Sequence, residues 1–150
     1  MYKNILVPTD GSKLSAKAAD EAVKLAKAFG AKITFLNVMP DYRKVLSETF
    51  AVPSGLSAPV QKKYQAEAEA FSKKVIDRAC TDAAAAGIAC NGVSIVHESA
   101  YEAIIKQAGK SKSDVIVMAS HGRKGLQGFL LGSETTKVLV HSKIPVLVVR

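Results

Sequence analysis

The sequence predicts an α/β fold: a three-layer, doubly wound parallel sheet of five strands with four helices. Three observations carry that prediction. Short apolar runs of strand length alternate with longer segments whose apolar residues recur every three or four positions. The short runs are apolar at successive positions, as in strands buried on both faces, whereas a sheet with one wet face would alternate. The chain has 150 residues, 48% hydrophobic and 23% charged, which is the length of one ordinary domain. A domain of that size buries about 70% of its unfolded surface and needs neither disulfide nor metal to hold its core.

The elements follow in order. Residues 4 to 8 read Asn-Ile-Leu-Val-Pro, a buried strand stopped by proline, and Asp10, Gly11 and Ser12 form the turn after it. Leu14, Ala18, Ala22, Leu25, Ala26 and Phe29 fall on one face of a helix that Gly30 caps. Ile33 to Met39 is a second strand, closed by Pro40. Residues 40 to 59 contain Pro40, Pro53, Gly55 and Pro59 without a sustained period, the pattern of a long functional or mobile loop. Val60, Tyr64, Ala68, Phe71, Val75 and Ala79 mark the apolar stripe of a long helix that stops at Gly87. After Asn91 and Gly92 come a strand from Val93 to Val96, a helix around Glu102 to Ala108 capped by Gly109, and a strand from Val115 to Met118. Ser133 to His141 is the last helix, and Pro145 introduces the last strand, Val146 to Val149. Each crossover between parallel strands is expected to be right-handed.

Composition excludes several classes. The 21 Lys and Arg outnumber the 13 Asp and Glu, a formal charge of +8, yet the basic residues are scattered in ones and twos on helix positions that face water. With four Tyr, five Phe and no Trp there is no base-stacking surface, so nucleic acid is not an expected partner. No apolar run approaches the roughly 20 residues of a membrane span, and Lys3 and Asn4 stand where a signal peptide would build its apolar segment. A cytoplasmic protein without a membrane partner is expected. Cys80 and Cys90 lie in no Cys/His cluster and read as small core residues.

The informative segments lie at the carboxyl ends of the first and fourth strands, where ligands bind in such folds. Gly122, Gly125, Gly128 and Gly132 fall within eleven residues between a strand and a helix. Glycine lets backbone amides approach a ligand, and the helix starting at Gly132-Ser133 would turn its free N–H groups and positive dipole end toward the crevice. Arg123 and Lys124 could add charge, and Ser133 a hydroxyl. Equally, glycine-rich stretches serve as plain connections, and Ser133-Glu134 is an ordinary helix start without any ligand. The segment matches neither G-x-x-x-x-G-K-[ST] nor G-x-G-x-x-G after the first strand, which disfavours those two nucleotide-binding classes.

Over essentially its whole length the chain resembles the universal stress proteins. The resemblance rests on Ile-Leu-Val-Pro-Thr-Asp-Gly-Ser at the start and on Val-Ile-Val-Met-Ala-Ser-His-Gly-Arg-Lys-Gly, which runs from the fourth strand into its loop. Leu-Leu-Gly-Ser at the last helix and the closing Pro-Val-Leu-Val-Val complete it. The nucleotide-binding branch of that family carries Gly, two residues, Gly, nine residues, then Gly and Ser or Thr. Here those positions are Ala119, Gly122, Gly132 and Ser133, with the spacing kept and the first glycine replaced. The resemblance implies a Rossmann-like sheet of order 3-2-1-4-5 and a ligand that is ATP or another adenine nucleotide. It implies that Asp10, beside Thr9, meets the ribose or adenine end, that Val38 meets adenine through its backbone, and that Pro8 packs near the base. Met118, Ala119, Ser120, His121 and Gly122, followed by Arg123, would line the ribose and first phosphate. Gly132, Ser133 and Thr135 would hold the outer phosphates, with Mg or Mn carried by the phosphates themselves. Glu134, in the first turn of the cradle helix, is a carboxylate where a phosphate is expected.

Catalytic residues are not legible. His97, His121 and His141 are the only histidines, and no G-x-S-x-G, H-E-x-x-H or paired-carboxylate arrangement accompanies them. His121 could contact a ligand or bond its own loop, while His141 suits the negative end of the last helix. At most slow ATP hydrolysis is expected. The last strand, placed at the sheet edge by the resemblance, would expose unpaired backbone groups, so a homodimer through residues 146 to 149 is expected, with further protein partners unknown. Two readings follow: a stress-response protein whose ATP occupancy regulates a dimer, and a dimeric interaction protein whose crevice takes no nucleotide.

Overall fold

The computed structural model describes residues 1–42, 44, 58–122 and 131–150. Its elements in chain order are β1 (Asn4–Pro8), α1 (Lys13–Phe29), β2 (Lys32–Met39), α2 (Ala58–Ala85) and β3 (Cys90–Val96). They continue with α3 (Ala100–Lys110), β4 (Val115–Ala119), α4 (Ser133–His141) and β5 (Val146–Val149). The strands form a Rossmann-like sheet of order β3-β2-β1-β4-β5, with every neighbouring pair parallel. The residues 40 to 59 expected as a loop, and the glycine-rich stretch 123 to 130, lie largely outside the described residues.

Alternation along the strands builds two cores from one sheet. Ile5, Val7, Ile33, Phe35, Val115 and Val117 point to one face and meet Ala22 and Ala26 of α1 with Ile76 and Ala83 of α2. Leu6, Leu36, Ile116 and Met118 point to the other and meet Ile104 and Ala108 of α3 with Val138 of α4. All three layers are thus apolar at their contacts, which is why the strands read as continuous hydrophobic runs. Helix α1 starts where the Ser12 hydroxyl accepts the Ser15 N–H at 3.1 Å and ends at Gly30, whose φ of +64° only glycine adopts without strain.

Three expectations are corrected. Strand β3 begins at Cys90 and not at Val93, because Asn91 and Gly92 already pair with Thr34 and Phe35. The apolar stripe expected to bury α2 meets the core only at its Ala79 end: Tyr64 is 43% and Phe71 39% exposed, whereas Ser72, Ile76 and Ala83 are buried. Instead, the Ser72 and Ser94 hydroxyls share a hydrogen bond of 2.6 Å, Tyr64 stacks on Tyr42, and Phe71 and Val75 lie against Gly11. The cysteines, expected in the core, pack against its margin half-buried, and the Cys90 thiol donates to the Cys80 carbonyl at 3.5 Å. Among the described residues no helix is long and apolar enough to cross a membrane.

Candidate functional site

Strands β1 and β4 lie side by side, and the chain leaves β1 toward one face of the sheet and β4 toward the other. Helix α1 packs in the first core and α4 in the second. The carboxyl ends of β1 and β4 therefore diverge and open a crevice, as at any switch point of a doubly wound sheet. A cavity of about 630 Å³ occupies it.

From β1 and its turn, Pro8, Thr9 and Asp10 line the cavity, and from β2 so does Val38. Thr9 is buried and fully engaged. Its N–H donates to the Leu36 carbonyl at 2.8 Å, its hydroxyl pairs with that of Ser15 at 3.2 Å, and its carbonyl accepts from Asn37 Nδ2 at 2.8 Å. The Asp10 carboxylate folds back through Oδ1, which accepts the Ser12 N–H at 3.0 Å. Oδ2 reaches across toward Gly122, where an added Cβ would lie only 2.9 Å from it. A side chain at Gly122 would have to displace that carboxylate oxygen.

Met118, Ala119, His121 and Gly122 line the β4 side. Ser120 stands behind that wall. Its N–H donates to Val149 at 2.8 Å, its carbonyl accepts the Gly132 N–H at 2.8 Å, and its hydroxyl lies 3.1 Å from His121 Nδ1. Gly132, Ser133, Glu134 and Thr135 close the crevice from α4. Gly132 has an ordinary φ of −61°, so conformation does not demand glycine here; proximity does. A Cβ would fall 3.0 Å from His121 Cα and 3.2 Å from the Ser120 carbonyl oxygen. Thr135 is buried and donates its hydroxyl to the Ala119 carbonyl at 3.0 Å, pinning the helix to the end of β4 rather than offering that hydroxyl to a ligand. The first intrahelical bond runs from the Thr136 N–H to the Gly132 carbonyl at 2.9 Å, so the N–H groups of the preceding first turn open toward the cavity.

Glu134 takes a position that its sequence context does not reveal. One oxygen accepts the Tyr101 backbone N–H at 2.9 Å and the other pairs with Lys137 at 3.0 Å. Arg123, with Lys124, Gly125 and Gly128, lies outside the described residues. The sequence reading missed Ser15, Leu36, Asn37, Ala100, Ile104 and Leu131 as lining residues. Only Asn37 carried a signal, a buried amide inside an otherwise apolar strand run. The other histidines stand apart: His97 Nδ1 accepts the Ser99 N–H at 2.9 Å, and His141 packs on Tyr101 with ring centroids 5.4 Å apart.

A parallel sheet whose central strands part over a helix N-terminus defines the α/β class that holds its ligand outside the carboxyl ends of its strands. Residues 1–150 match the universal stress protein family, and the chain belongs to that family. It is 33% identical over 152 residues to universal stress protein YxiE of Bacillus subtilis, covering the whole of both chains. To universal stress protein MJ0531 of Methanocaldococcus jannaschii it is 32% identical over 151 residues, covering all of this chain and 83% of the relative. UspA from Lactobacillus plantarum superposes with a TM-score of 0.82 at 26% identity, over 99% of this chain and 98% of that one. A universal stress protein solved in complex with cAMP has a TM-score of 0.68 at 27% identity, over 99% and 97% of the two chains. One from Archaeoglobus fulgidus, in complex with dAMP, shares the fold with a TM-score of 0.70 at 16% identity, over 99% and 98%.

Proposed function

We propose that this universal stress protein binds an adenine nucleotide, ATP in the first instance, between β1 and β4, and that occupancy regulates a cytoplasmic homodimer in the stress response. The observation that carries the reading is the seat of Gly132: a Cβ there would fall 3.0 Å from His121 Cα, so only a residue without a side chain lets the start of α4 close onto the end of β4, beside the crevice. Solved relatives holding cAMP and dAMP support the same ligand class.

In this reading Pro8 and Val38 pack near the base, Asp10 meets the ribose or adenine end, and the segment from Met118 to Gly122 runs along the ribose and first phosphate. The N–H groups at the start of α4 receive phosphate oxygens. Ala119 replaces a glycine at the cost of one methyl group. No group of three His, Cys, Asp or Glu side chains comes together among the described residues, so a Mg or Mn ion would be carried by the phosphates. Hydrolysis is slow at most in this reading: the Ser120 hydroxyl lies 3.1 Å from His121 Nδ1, but Ser120 does not line the crevice.

Calorimetric titration of nucleotide-stripped protein with ATP, with and without magnesium and beside GTP, tests the reading. Adenine-selective binding at micromolar concentration or tighter supports it. No binding at millimolar ATP removes it and leaves the dimeric interaction protein as the function.

A further inference from the structure

Three linked polar residues, Thr9, Ser15 and Asn37, line the cavity beside the carboxyl ends of β1 and β2, and all three are buried. The hydroxyl protons are used within the protein. Ser15 donates to the Ser12 carbonyl at 3.0 Å, so the proton between the Ser15 and Thr9 hydroxyls, 3.2 Å apart, comes from Thr9. Asn37, only 4% exposed, differs. Its Nδ2 donates to the Thr9 carbonyl at 2.8 Å, while Oδ1 accepts from no group among the described residues. Those residues contain no side-chain oxygen that is both sealed from solvent and without a partner, so Oδ1 is open, and the cavity is the space that Asn37 lines. A buried amide oxygen in this state is an acceptor that lacks its donor.

Resting on the adenine-nucleotide reading, we infer that Asn37 is the residue that tells adenine from the 6-oxo purines: Oδ1 accepts a hydrogen bond from the 6-amino group of the base. Pro8 and Val38, packed near the base in that reading, line the same cavity, and Val38 is the next residue along β2. Guanine and hypoxanthine carry an oxygen where adenine carries its amino group, and that oxygen would meet Oδ1 acceptor to acceptor. The amide does not turn over to serve them, because Oδ1 would then face the Thr9 carbonyl. Selection therefore has an attractive and a repulsive part, both set by one hydrogen bond inside the protein.

The test measures three affinities by calorimetry on the full chain and on Asn37→Ala: ATP, inosine triphosphate, and purine riboside triphosphate, in which hydrogen replaces the amino group. On the unaltered protein ATP should bind about tenfold to a hundredfold tighter than either analogue, the range set by leaving a buried acceptor without its donor. In Asn37→Ala, whose fold circular dichroism checks, the three affinities should converge, because alanine neither accepts from the amino group nor repels the oxygen. A residue that only braced the Thr9 backbone would lower all three affinities together and leave their ratios unchanged, and that outcome overturns the inference. Equal binding of ATP and purine riboside triphosphate to the unaltered protein also overturns it, and that comparison needs no variant. In both cases ATP still binds and the adenine-nucleotide reading stands. Failure of all three triphosphates to bind the unaltered protein overturns both.

Discussion

The Glu134 carboxylate accepts the backbone N–H of Tyr101 at 2.9 Å, so the first turn of α4 caps the start of α3. Helix α3 needs that cap: Ser99 stands at its N-cap position but its side chain makes no capping hydrogen bond. Two helix N-termini at the crevice are thereby tied by one side chain, and Ala100 and Ile104 of α3 line the same cavity.

Replacing Glu134 with alanine should cost about 1 kcal/mol of stability, the usual consequence of losing an N-cap acceptor. The ion pair with Lys137 adds little, because both side chains are nearly half exposed. Glutamine should restore most of the loss, and Lys137→Ala should cost less than Glu134→Ala. Urea unfolding of the three variants measures the order; equal losses in both alanine variants would place the effect in the ion pair.

Gly132→Val should abolish nucleotide binding while the far-UV spectrum and oligomer size stay native. Its Cβ would meet His121 Cα at 3.0 Å, and backbone cannot rotate away as a side chain can. The start of α4 must then move off the end of β4, taking its N–H groups with it. Unchanged affinity in a folded Gly132→Val protein would remove the helix start from the site.

What the sequence made legible, and what it did not, follows from which forces are local. Strand runs such as Val115 to Met118 and the cap at Gly30 are decided by neighbours in the chain, and they stand where the pattern puts them. The buried face of α2 was misread because Tyr64 and Phe71 are spent on Tyr42 and Gly11 at the loop end of the sheet, a tertiary fact with no periodic signature. At the crevice, small residues after β4 flagged the site, whereas the Glu134 contact spans 33 residues and joins two helices. Neither partner's sequence context announces it.

The approach of α2 to β3 makes a separate prediction. A Cβ on Gly92 would lie 2.2 Å from Ile76 Cγ2, and Ile76 is buried. Gly92→Ala should therefore destabilise by about 1–3 kcal/mol through overpacking. Adding Ile76→Val should recover part of that loss, although Ile76→Val alone costs about 1 kcal/mol. A double-mutant cycle by denaturant unfolding reads the coupling, and strictly additive losses would show that the two residues do not share this space.

Burial and the neighbouring Cys90 push the Cys80 thiol up to about 12 from an ordinary 9.0. At pH 8 the thiolate fraction is then about one part in ten thousand, too small for rapid alkylation. Iodoacetamide should leave Cys80 unlabelled in the folded protein and label it in urea, as peptide mass spectrometry will show. The sign of the linkage follows. A folded pKa above the unfolded one gives stability that is complete below about pH 9 and fades as pH rises toward 12. Cys80→Ala should flatten that alkaline decline; an unchanged decline would assign it to other groups.

The homodimer proposed above places a second copy against β5. That strand has four residues at one edge of the sheet, bonded on one side to β4 through Ile116↔Val146 to Ala119↔Val149. Its outer backbone groups are an open template, and Leu147 is 44% exposed. Helix α4, which packs against β5, leaves Val140 71% exposed and Leu139 40% exposed. Two-fold pairing of β5 with its copy would extend the sheet and cover apolar surface that water otherwise meets. Leu147→Lys should then give a monomer of native spectrum in sedimentation equilibrium, because an edge lysine opposes its own copy across the two-fold axis. Deleting residues 146 to 150 should give monomers or insoluble protein, since Val149 also holds the Ser120 N–H at 2.8 Å. A soluble, folded dimer that survives both changes would move the interface away from β5.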